Sequence, residues 1–173
     1  MPEPITVEIR PWAAGDLDLL ERLMGDPAMT AHLGGPESPE EIRARHERYC
    51  RDLDEGKDHT FAVLVGSERA PAGWVGYWEA EWAGEPVWEM GWSMLPEFQG
   101  MGIATRAAGI IVTLARAERK FRYIHAFPAV GNGPSNAVCR KLGLENLGAV
   151  EVEYPKGVMM HSNNWRLDLF ASV

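Results

Sequence analysis

A short turn with two glycines, FQGMGIATR at residues 98–106, constrains the fold of this chain more than any other segment. The turn follows an alternating segment typical of a strand, and it precedes a long helix predicted over Ile103 to Arg119. The first N–H groups of a helix lack partners within it and carry about half a positive charge, so they attract an anion such as phosphate. Gly100 and Gly102 let the backbone approach such a group closely, and Gln99 adds a neutral donor. A plain tight turn before a helix would show the same glycines, so the flanking residues must decide.

Two other classes of phosphate site are excluded by the sequence. A P-loop requires the pattern GxxxxGK[ST], which does not occur in the chain. A dinucleotide fingerprint, GxGxxG, requires a third small residue where Thr105 stands. That fingerprint also opens the first βαβ unit of its fold, with an acid about 20 residues on. Here it would begin at Gly100, with basic residues near 120 and too little chain left for a doubly wound sheet.

The charge balance bears on the partners of the protein. The chain carries 25 acidic and 17 basic residues, a net charge of -8. Because the phosphates of a nucleic acid would be repelled, the balance argues against nucleic acid as the main partner. A cationic partner such as an amine suits this charge better, although acidity also serves solubility.

The chain is expected to form one cytoplasmic domain over residues 1–173. Its N-terminal segment lacks the apolar core of a secretion signal, and its longest central apolar run is too short to span a membrane. Cys50 and Cys139 each stand without a second cysteine nearby in the sequence, which suits a reducing compartment better than a disulfide scaffold. The histidines show no metal-ligand spacing, so no metal is predicted.

Periodicity and caps predict strands and helices in alternation. Leucines at helical spacing from Leu17 predict a first helix, and the capping box Ser38-Pro39-Glu40-Glu41 begins a second, which should end near Gly56. A short helix is expected over 135–142, ended by Gly143 in a left-handed conformation. The strands predicted outside the central hairpin are 6–10, 60–65, 123–127, 147–154 and 164–170. This order predicts a mixed α/β fold around one sheet. The second helix also carries four arginines that are expected to form a solvated face: Arg43, Arg45, Arg48 and Arg51.

Residues 73–94 predict a β-hairpin with the three-residue turn Ala83-Gly84-Glu85. The strands carry five tryptophans at even positions, which a period of two places on one face: Trp74, Trp78, Trp82, Trp88 and Trp92. In that register Glu79 lies opposite Glu89. Core packing is the default role of these rings, and one or two could line a pocket for a cation. A slip of one residue would undo the arrangement.

The segment MLPEFQGMGIATRA resembles the Q/R-x-x-G-x-G/A signature of the GNAT superfamily of acyl-CoA N-acyltransferases, with Gln99, Gly102 and Ala104 in its defined places. Further on, NGPSNAVCRKLGL is similar to the superfamily's N-x-x-S-x-x-x-x-x-K-x-G-F segment. Leu144 replaces the usual Phe, and four positions match: Asn132, Ser135, Lys141 and Gly143. The early segment RPWAAGDLDLLERLMGDPAMTAHLGG looks like the start of the branch typified by the ribosomal-protein N-terminal acetyltransferases RimJ and RimL.

The resemblance implies a single twisted, mostly antiparallel sheet that is flanked by helices and splays beside its central strand. Acetyl-CoA, as co-substrate, would lie in the gap, with its pantetheine arm paired to the backbone of Ser93, Met94 and Leu95. Asn132 would cap the following helix or bind the pantetheine. The pyrophosphate would bind the amides of six consecutive residues: Gln99, Gly100, Met101, Gly102, Ile103 and Ala104.

For the base that deprotonates the amine we favour Glu89, on the strand before the turn, with Glu79 as second choice. Neighbouring Trp rings and a second carboxylate should raise the pKa of Glu89 toward neutrality. Glu89 could instead orient the substrate, with water as the base. Many relatives protonate the departing thiolate with a Tyr where this chain has Cys139. We favour Ser135 for this step, because the resemblance to the RimL-like branch places that serine near the sulfur, and we expect Cys139 to be a packing residue.

The resemblance therefore predicts an acetyl-CoA-dependent N-acetyltransferase. The acceptor would be a protein N-terminus or a small amine, attacking directly in a ternary complex. Because the usual Tyr is missing, a non-catalytic acyl-CoA-binding sensor or scaffold is the alternative. The exposed strands near the C-terminus could pair two subunits, but nothing in the sequence demands a homodimer.

Overall fold

The computed structural model describes residues 3–54 and 58–172, which form one sheet with helices on both faces. Its strands within those ranges are β1 (Val7–Pro11), β2 (Asp58–Val65), β3 (Ala70–Trp82), β4 (Glu85–Met94), β5 (Tyr123–Ala126), β6 (Glu145–Glu153) and β7 (Met159–Asp168). Its α-helices there are α1 (Leu17–Met24), α2 (Pro39–Asp54), α3 (Ile103–Glu118) and α4 (Gly133–Lys141). The predicted element order and the mixed α/β class are confirmed.

The sheet is mostly antiparallel and opens at one place. Its strand order is β1-β2-β3-β4-β5-β7-β6, and of the six neighbouring pairs only β4 and β5 run parallel, joined by the crossover through α3. These two strands pair over two rows, Trp88 with Ile124 and Glu89 with His125. β4 continues to Met94 without β5 beside it. The predicted splay therefore begins directly after Glu89 and His125.

Each face of the sheet has its own core. α3 covers one face, where its apolar side meets β3 and β4 through Val75, Tyr77, Trp88, Met90, Ile103, Ala107 and Ile111. α1 and α2 cover the other face, where the core contains Trp12, Leu20, Leu23, Ile42 and Ala62. The two cores follow from the period-two pattern of the strands, which sends alternate side chains to opposite faces.

The start of α2 has the predicted capping box. The Ser38 amide donates to Glu41 Oε2 (2.7 Å), and the Glu41 amide donates to Ser38 Oγ (3.2 Å). Gly143 follows α4 with φ of 81°, as predicted for a left-handed helix stop. The predicted end of α2 near Gly56 lies outside the described residues.

One arginine of α2 departs from the predicted solvated face. Arg43, Arg48 and Arg51 are exposed, but Arg45 is partly buried. Its guanidinium pairs with Glu37 and donates to the Tyr154 hydroxyl (3.3 Å). Helical spacing alone does not reveal these partners, because both lie outside the helix.

The last two strands are longer than predicted. β6 and β7 begin earlier than the predicted 147–154 and 164–170. Their outer halves, such as Glu151 with His161 and Glu153 with Met159, pair with each other where the side chains are largely exposed. The largest part missed is MMHSN at 159–163 of β7, which does not alternate apolar and polar residues, so its period-two signal is weak.

The central hairpin turns in two residues, so the predicted register is wrong by one. Ala83 and Gly84 have φ of 52° and 80°, as a type I′ turn requires, and Trp82 pairs with Glu85. Trp78 therefore lies opposite Glu89, while Glu79 lies opposite Trp88 on the other face. The five tryptophans are accordingly divided, with Trp74, Trp78 and Trp82 on the face of Glu89 and Trp88 and Trp92 on the face of Glu79.

Gly73, in β3, should tolerate no side chain. A Cβ there would lie 2.0 Å from the Ser93 carbonyl oxygen and 2.9 Å from Met94 Cα, both backbone atoms. Gly73→Ala is expected to lower the free energy of unfolding by about 2 kcal/mol or more. Gly109→Ala, whose Cβ would meet only Leu142 Cδ2 at 3.7 Å, should raise it by about 0.5–1 kcal/mol through helix propensity. Urea unfolding of both variants checks this, and equal stability of the two would contradict the close packing of β3 on β4.

Candidate active site

Glu89 and His125 stand side by side where β4 and β5 separate. They form the last pair between β4 and β5, and neighbours in register project from the same face of a sheet. Trp78, opposite Glu89 on β3, belongs to that face as well. The sheet thus presents a carboxylate, an imidazole and an indole together at the beginning of its opening.

Glu89 has the raised pKa predicted for it, but for one of the two predicted reasons only. Burial raises the pKa of this half-buried carboxyl above its ordinary value, and a weaker hydrogen bond from Trp78 lowers it. Glu79, the carboxylate expected beside it, projects from the other face and forms an ion pair with Lys120. Desolvation of the charged form is therefore the cause of the shift.

His125 is a residue that the sequence analysis missed. It is 2% exposed, and its Nδ1 lies 2.7 Å from Asn164 Oδ1. Burial lowers the pKa of the imidazole below its ordinary value, the hydrogen bond to Asn164 raises it, and the charge of Arg166 lowers it. The signal available in the sequence was a polar residue in the middle of the buried-type strand YIHAF.

The glycine turn exposes a row of backbone donors. Gly100 and Gly102 have φ of 72° and 75°, and a Cβ at either position would meet nothing within 4 Å. Among the residues that the structure describes, the amides from Gly100 to Thr105 have no hydrogen-bond acceptor, and the first amide bonded into α3 is that of Arg106, to the Gly102 carbonyl (3.1 Å). The Gln99 amide, by contrast, donates to Pro96 O (3.2 Å). Five of the six predicted phosphate-facing amides are therefore available to an anion.

The end of β4 offers fewer groups than the resemblance implied. Ser93 and Met94 pair with Trp74 and Gly73 of β3. The Leu95 amide donates to Ala72 O (2.8 Å), and the Met94 carbonyl accepts from Gln99 Nε2 (3.0 Å). Because successive amides of a strand point to opposite edges, the Met94 amide points away from β3, toward the side that β5 has left.

α4 is held by asparagines at its beginning. Asn132 caps the helix, its Oδ1 accepting from the Ser135 amide (3.3 Å), so the predicted cap is present. Asn136 is buried, and its Oδ1 accepts from Asn163 Nδ2 (2.9 Å) and Trp165 Nε1 (2.8 Å) of β7. Asn136, which the sequence analysis did not single out, thereby fixes the first turn of α4, with half-buried Ser135, against β7.

Aromatic rings border Glu89 on its own face of the sheet. Gly91 separates Trp74 and Trp78, since a Cβ there would lie 3.2 Å from the Trp74 ring and 3.1 Å from the Trp78 ring. Trp74 also packs against Tyr49 of α2, with ring centroids 6.1 Å apart, and its Nε1 is buried without a partner among the described residues. These half-buried indoles give the site an apolar wall.

Comparison with known proteins assigns this arrangement to a family. Residues 6–145 match the family model described as the acetyltransferase (GNAT) domain. Because the match spans most of the chain, the protein belongs to the GNAT acetyltransferase family. The uncharacterized N-acetyltransferase YnaD of Bacillus subtilis (strain 168) is 30% identical over 105 residues, which cover 61% of this chain and 58% of that relative. The aligned region thus spans little more than half of the relative's length.

Solved structures share the fold over nearly the whole chain. Spermidine N-acetyltransferase from Vibrio cholerae, solved with CoA and spermine, superposes with a TM-score of 0.76 at 16% identity, covering 94% of this chain and 95% of that one. The Salmonella typhimurium acetyltransferase that modifies the N-terminal serine of ribosomal protein L7/L12 gives 0.75 at 18% identity, covering 94% and 95%. At these identities the likeness shows the fold alone.

Two further properties concern only the described part of the chain. No helix there is long and apolar enough to cross a membrane. No three side chains of His, Cys, Asp or Glu there converge as metal ligands do.

Cys139 should be chemically inert in the folded protein. It is fully buried, and burial raises the pKa of its thiol to about 12. Because the thiolate is the reactive form, iodoacetamide at pH 8 should leave Cys139 unmodified in the native protein and alkylate it after unfolding in urea. Mass spectrometry of the alkylated peptides measures this. Rapid native modification at Cys139 would contradict its placement in the core.

Proposed function

We propose that the protein is an acetyl-CoA-dependent N-acetyltransferase that acts on a primary amine. The observation that carries the proposal is the row of acceptor-free amides from Gly100 to Thr105, at the start of α3 and beside the opening between β4 and β5. Membership of the GNAT acetyltransferase family supports the same activity. Cytoplasmic location agrees with Cys139 being a buried reduced thiol.

The residues present fit acetyl-CoA as co-substrate. The amides of Gly100 to Ala104 would bind its pyrophosphate, and the outward-pointing Met94 amide would pair with its pantetheine arm. The Gln99 side chain holds the turn by donating to Met94 O. When bound, acetyl-CoA supplies an activated acyl thioester.

The chain's own groups would manage the protons of the transfer. In total, R–NH3⁺ and the thioester give the amide, the free thiol and one proton, so the nitrogen loses two protons while the N–C bond forms and the C–S bond breaks. The Glu89 carboxylate would accept a proton from the amine, a task for which its raised pKa suits it. The Ser135 hydroxyl, in the first turn of α4, would donate to the departing sulfur.

The acceptor is proposed as a class, a primary amine. Structural neighbours act on spermidine and on a ribosomal-protein N-terminus. A carboxylate beside indole rings attracts an ammonium group, through charge and through the ring faces. An α-amine with a pKa near 8 is about one-tenth free at pH 7, whereas a lysine amine near 10.4 is free about once in a few thousand. The early segment similar to the RimJ and RimL branch makes a protein N-terminus the first acceptor to test.

Release of the free thiol of CoA during incubation with a panel of amines tests the proposal. The panel contains spermidine, kanamycin and peptides beginning with Ser or Ala. Thiol release that depends on both the enzyme and one of these amines supports a transferase. Binding of acetyl-CoA without release for any amine would identify the protein as an acyl-CoA sensor instead.

Glu89→Gln should lower turnover by about 100-fold and flatten its rise with pH, because the amide cannot accept the proton. Burial raises the pKa of Glu89, so the wild-type rate should rise with pH as the carboxyl ionises. Acetyl-CoA binding should be unchanged. Glu81→Gln, at an exposed position of β3 on the other face, is the matched control and should behave as wild type. Unchanged turnover of Glu89→Gln would show that Glu89 is not the base.

Gly102→Val should abolish stabilisation of the protein by acetyl-CoA in thermal unfolding. Valine strongly disfavours φ of 75°, and its side chain would project into the open space beside the amides. Gly148→Val, at φ of 112° with equally open surroundings on β6, controls for backbone strain and should keep the stabilisation. Normal stabilisation of the Gly102 variant would refute phosphate binding at the turn.

A further inference from the structure

The hydrogen bond from His125 to Asn164 sets the chemistry of the imidazole. Asn164 Oδ1 can only accept, so the His125 hydrogen lies on Nδ1, 2.7 Å away. Nε2 then carries the lone pair and is the ring atom that can take up a proton. The residue that fixes this tautomer comes from β7, and both side chains are buried.

Nε2 of His125 is the unpaired nitrogen of the ring. Within the described residues it has no hydrogen-bond partner. It is not completely enclosed, because the side-chain atoms there that are both fully buried and unpaired are His59 Nδ1, Trp74 Nε1, Trp88 Nε1 and Ser162 Oγ. Phe127 stacks on the ring at 5.6 Å and Trp82 packs against it at 6.2 Å, measured between ring centroids. These rings hold the imidazole in place and limit its access to water.

The charges around His125 come from three neighbouring strands. β4 contributes Glu89, in register with it. β7 contributes Arg166, paired opposite His125, and β6 contributes Glu145, whose carboxylate lies 3.9 Å from the Arg166 guanidinium. The arginine also covers the Tyr123 ring at 4.3 Å. Burial and Arg166 together lower the pKa of His125, so the ring is neutral at pH 7 and able to accept a proton.

An acceptor that arrives in its ammonium form gives up two protons from one nitrogen. A single carboxylate, once protonated, cannot take the second proton until it has passed on the first. We propose that Nε2 of His125 accepts one of the two protons that leave the amine, beside Glu89, with Asn164 as the positioning residue for the ring. The carboxylate becomes a carboxylic acid and the imidazole an imidazolium. One proton then reaches the sulfur through the Ser135 hydroxyl, which gives its own proton to the sulfur and takes this one in exchange. The other proton passes to solvent, so that Glu89, His125 and Ser135 all return to their starting states. This inference rests on the proposed function.

The kinetics of two variants test the role of His125. They are measured with an amine of the panel for which the wild type releases thiol. Asn164→Asp places a carboxylate on Nδ1 and stabilises the imidazolium, so the rise of kcat/KM with pH should shift upward by about one pH unit or more. His125→Gln should remove that part of the pH dependence and lower kcat/KM by about 100-fold. His161→Gln, an exposed histidine paired with Glu151, should match wild type. The amine's own ionisation is common to all variants, so differences between profiles belong to the enzyme.

A second measurement does not depend on turnover. Long-range ¹H–¹⁵N spectra should show His125 as the neutral Nδ1–H tautomer at pH 7, with its Nε2 resonance moving when glycinamide is added in the presence of CoA. Asn164→Ala should release the fixed tautomer. The proposal would be overturned by an Nε2–H tautomer, by an imidazolium at pH 7, or by an Asn164→Asp variant whose pH profile does not shift. If the wild type releases no thiol with any amine, the proposed transferase activity is overturned instead. The observed tautomer still decides whether Nε2 of His125 carries the free lone pair.

Discussion

The parting of β4 from β5 after two paired rows is the constraint on which the rest of the structure depends. The two strands run parallel because α3 connects them, and a crossover of this kind returns the chain to the same end of the sheet. Since the pairing stops at Glu89 and His125, the remaining rows of β4 keep an unpaired edge. The same crossover sets the start of α3, with its free amides, beside that edge. One topological feature thus brings together backbone donors, a carboxylate and an imidazole.

Short stretches of sequence determine much of this fold. The main feature that they do not predict, the register of the central hairpin, also depends on a single residue. The capping box at Ser38 and the left-handed Gly143 are predictable because each side chain acts within a few residues. The hairpin register is not predictable in this way, because it depends on a positive φ at Ala83, a conformation that alanine rarely adopts. That single residue moves Glu79 away from Glu89 and divides the tryptophans between two faces. A period-two pattern identifies faces but leaves the turn to decide which faces meet.

The candidate site likewise contains residues that the sequence suggests and residues that only the structure reveals. Ser135 and the glycine turn lie in short motifs and Glu89 lies on the strand before the turn, so the sequence alone was enough to propose them as site residues. The His125–Asn164 pair spans 39 residues and two strands, so no motif contains it. The same holds for Asn136, which joins α4 to β7, and for Arg45, whose partners Glu37 and Tyr154 come from separate segments. Burial explains both perturbed groups at the opening, since it raises the pKa of the carboxyl and lowers that of the imidazole.

The central claim is that the amides at the start of α3 receive the pyrophosphate of CoA. Backbone ¹H–¹⁵N spectra recorded during titration with CoA test it most directly. The account predicts that the largest shifts fall on Gly100 to Thr105 and on Met94, whose amide faces the unpaired edge of β4. Shifts concentrated elsewhere on the sheet, with the amides of the turn unchanged at saturation, would contradict it.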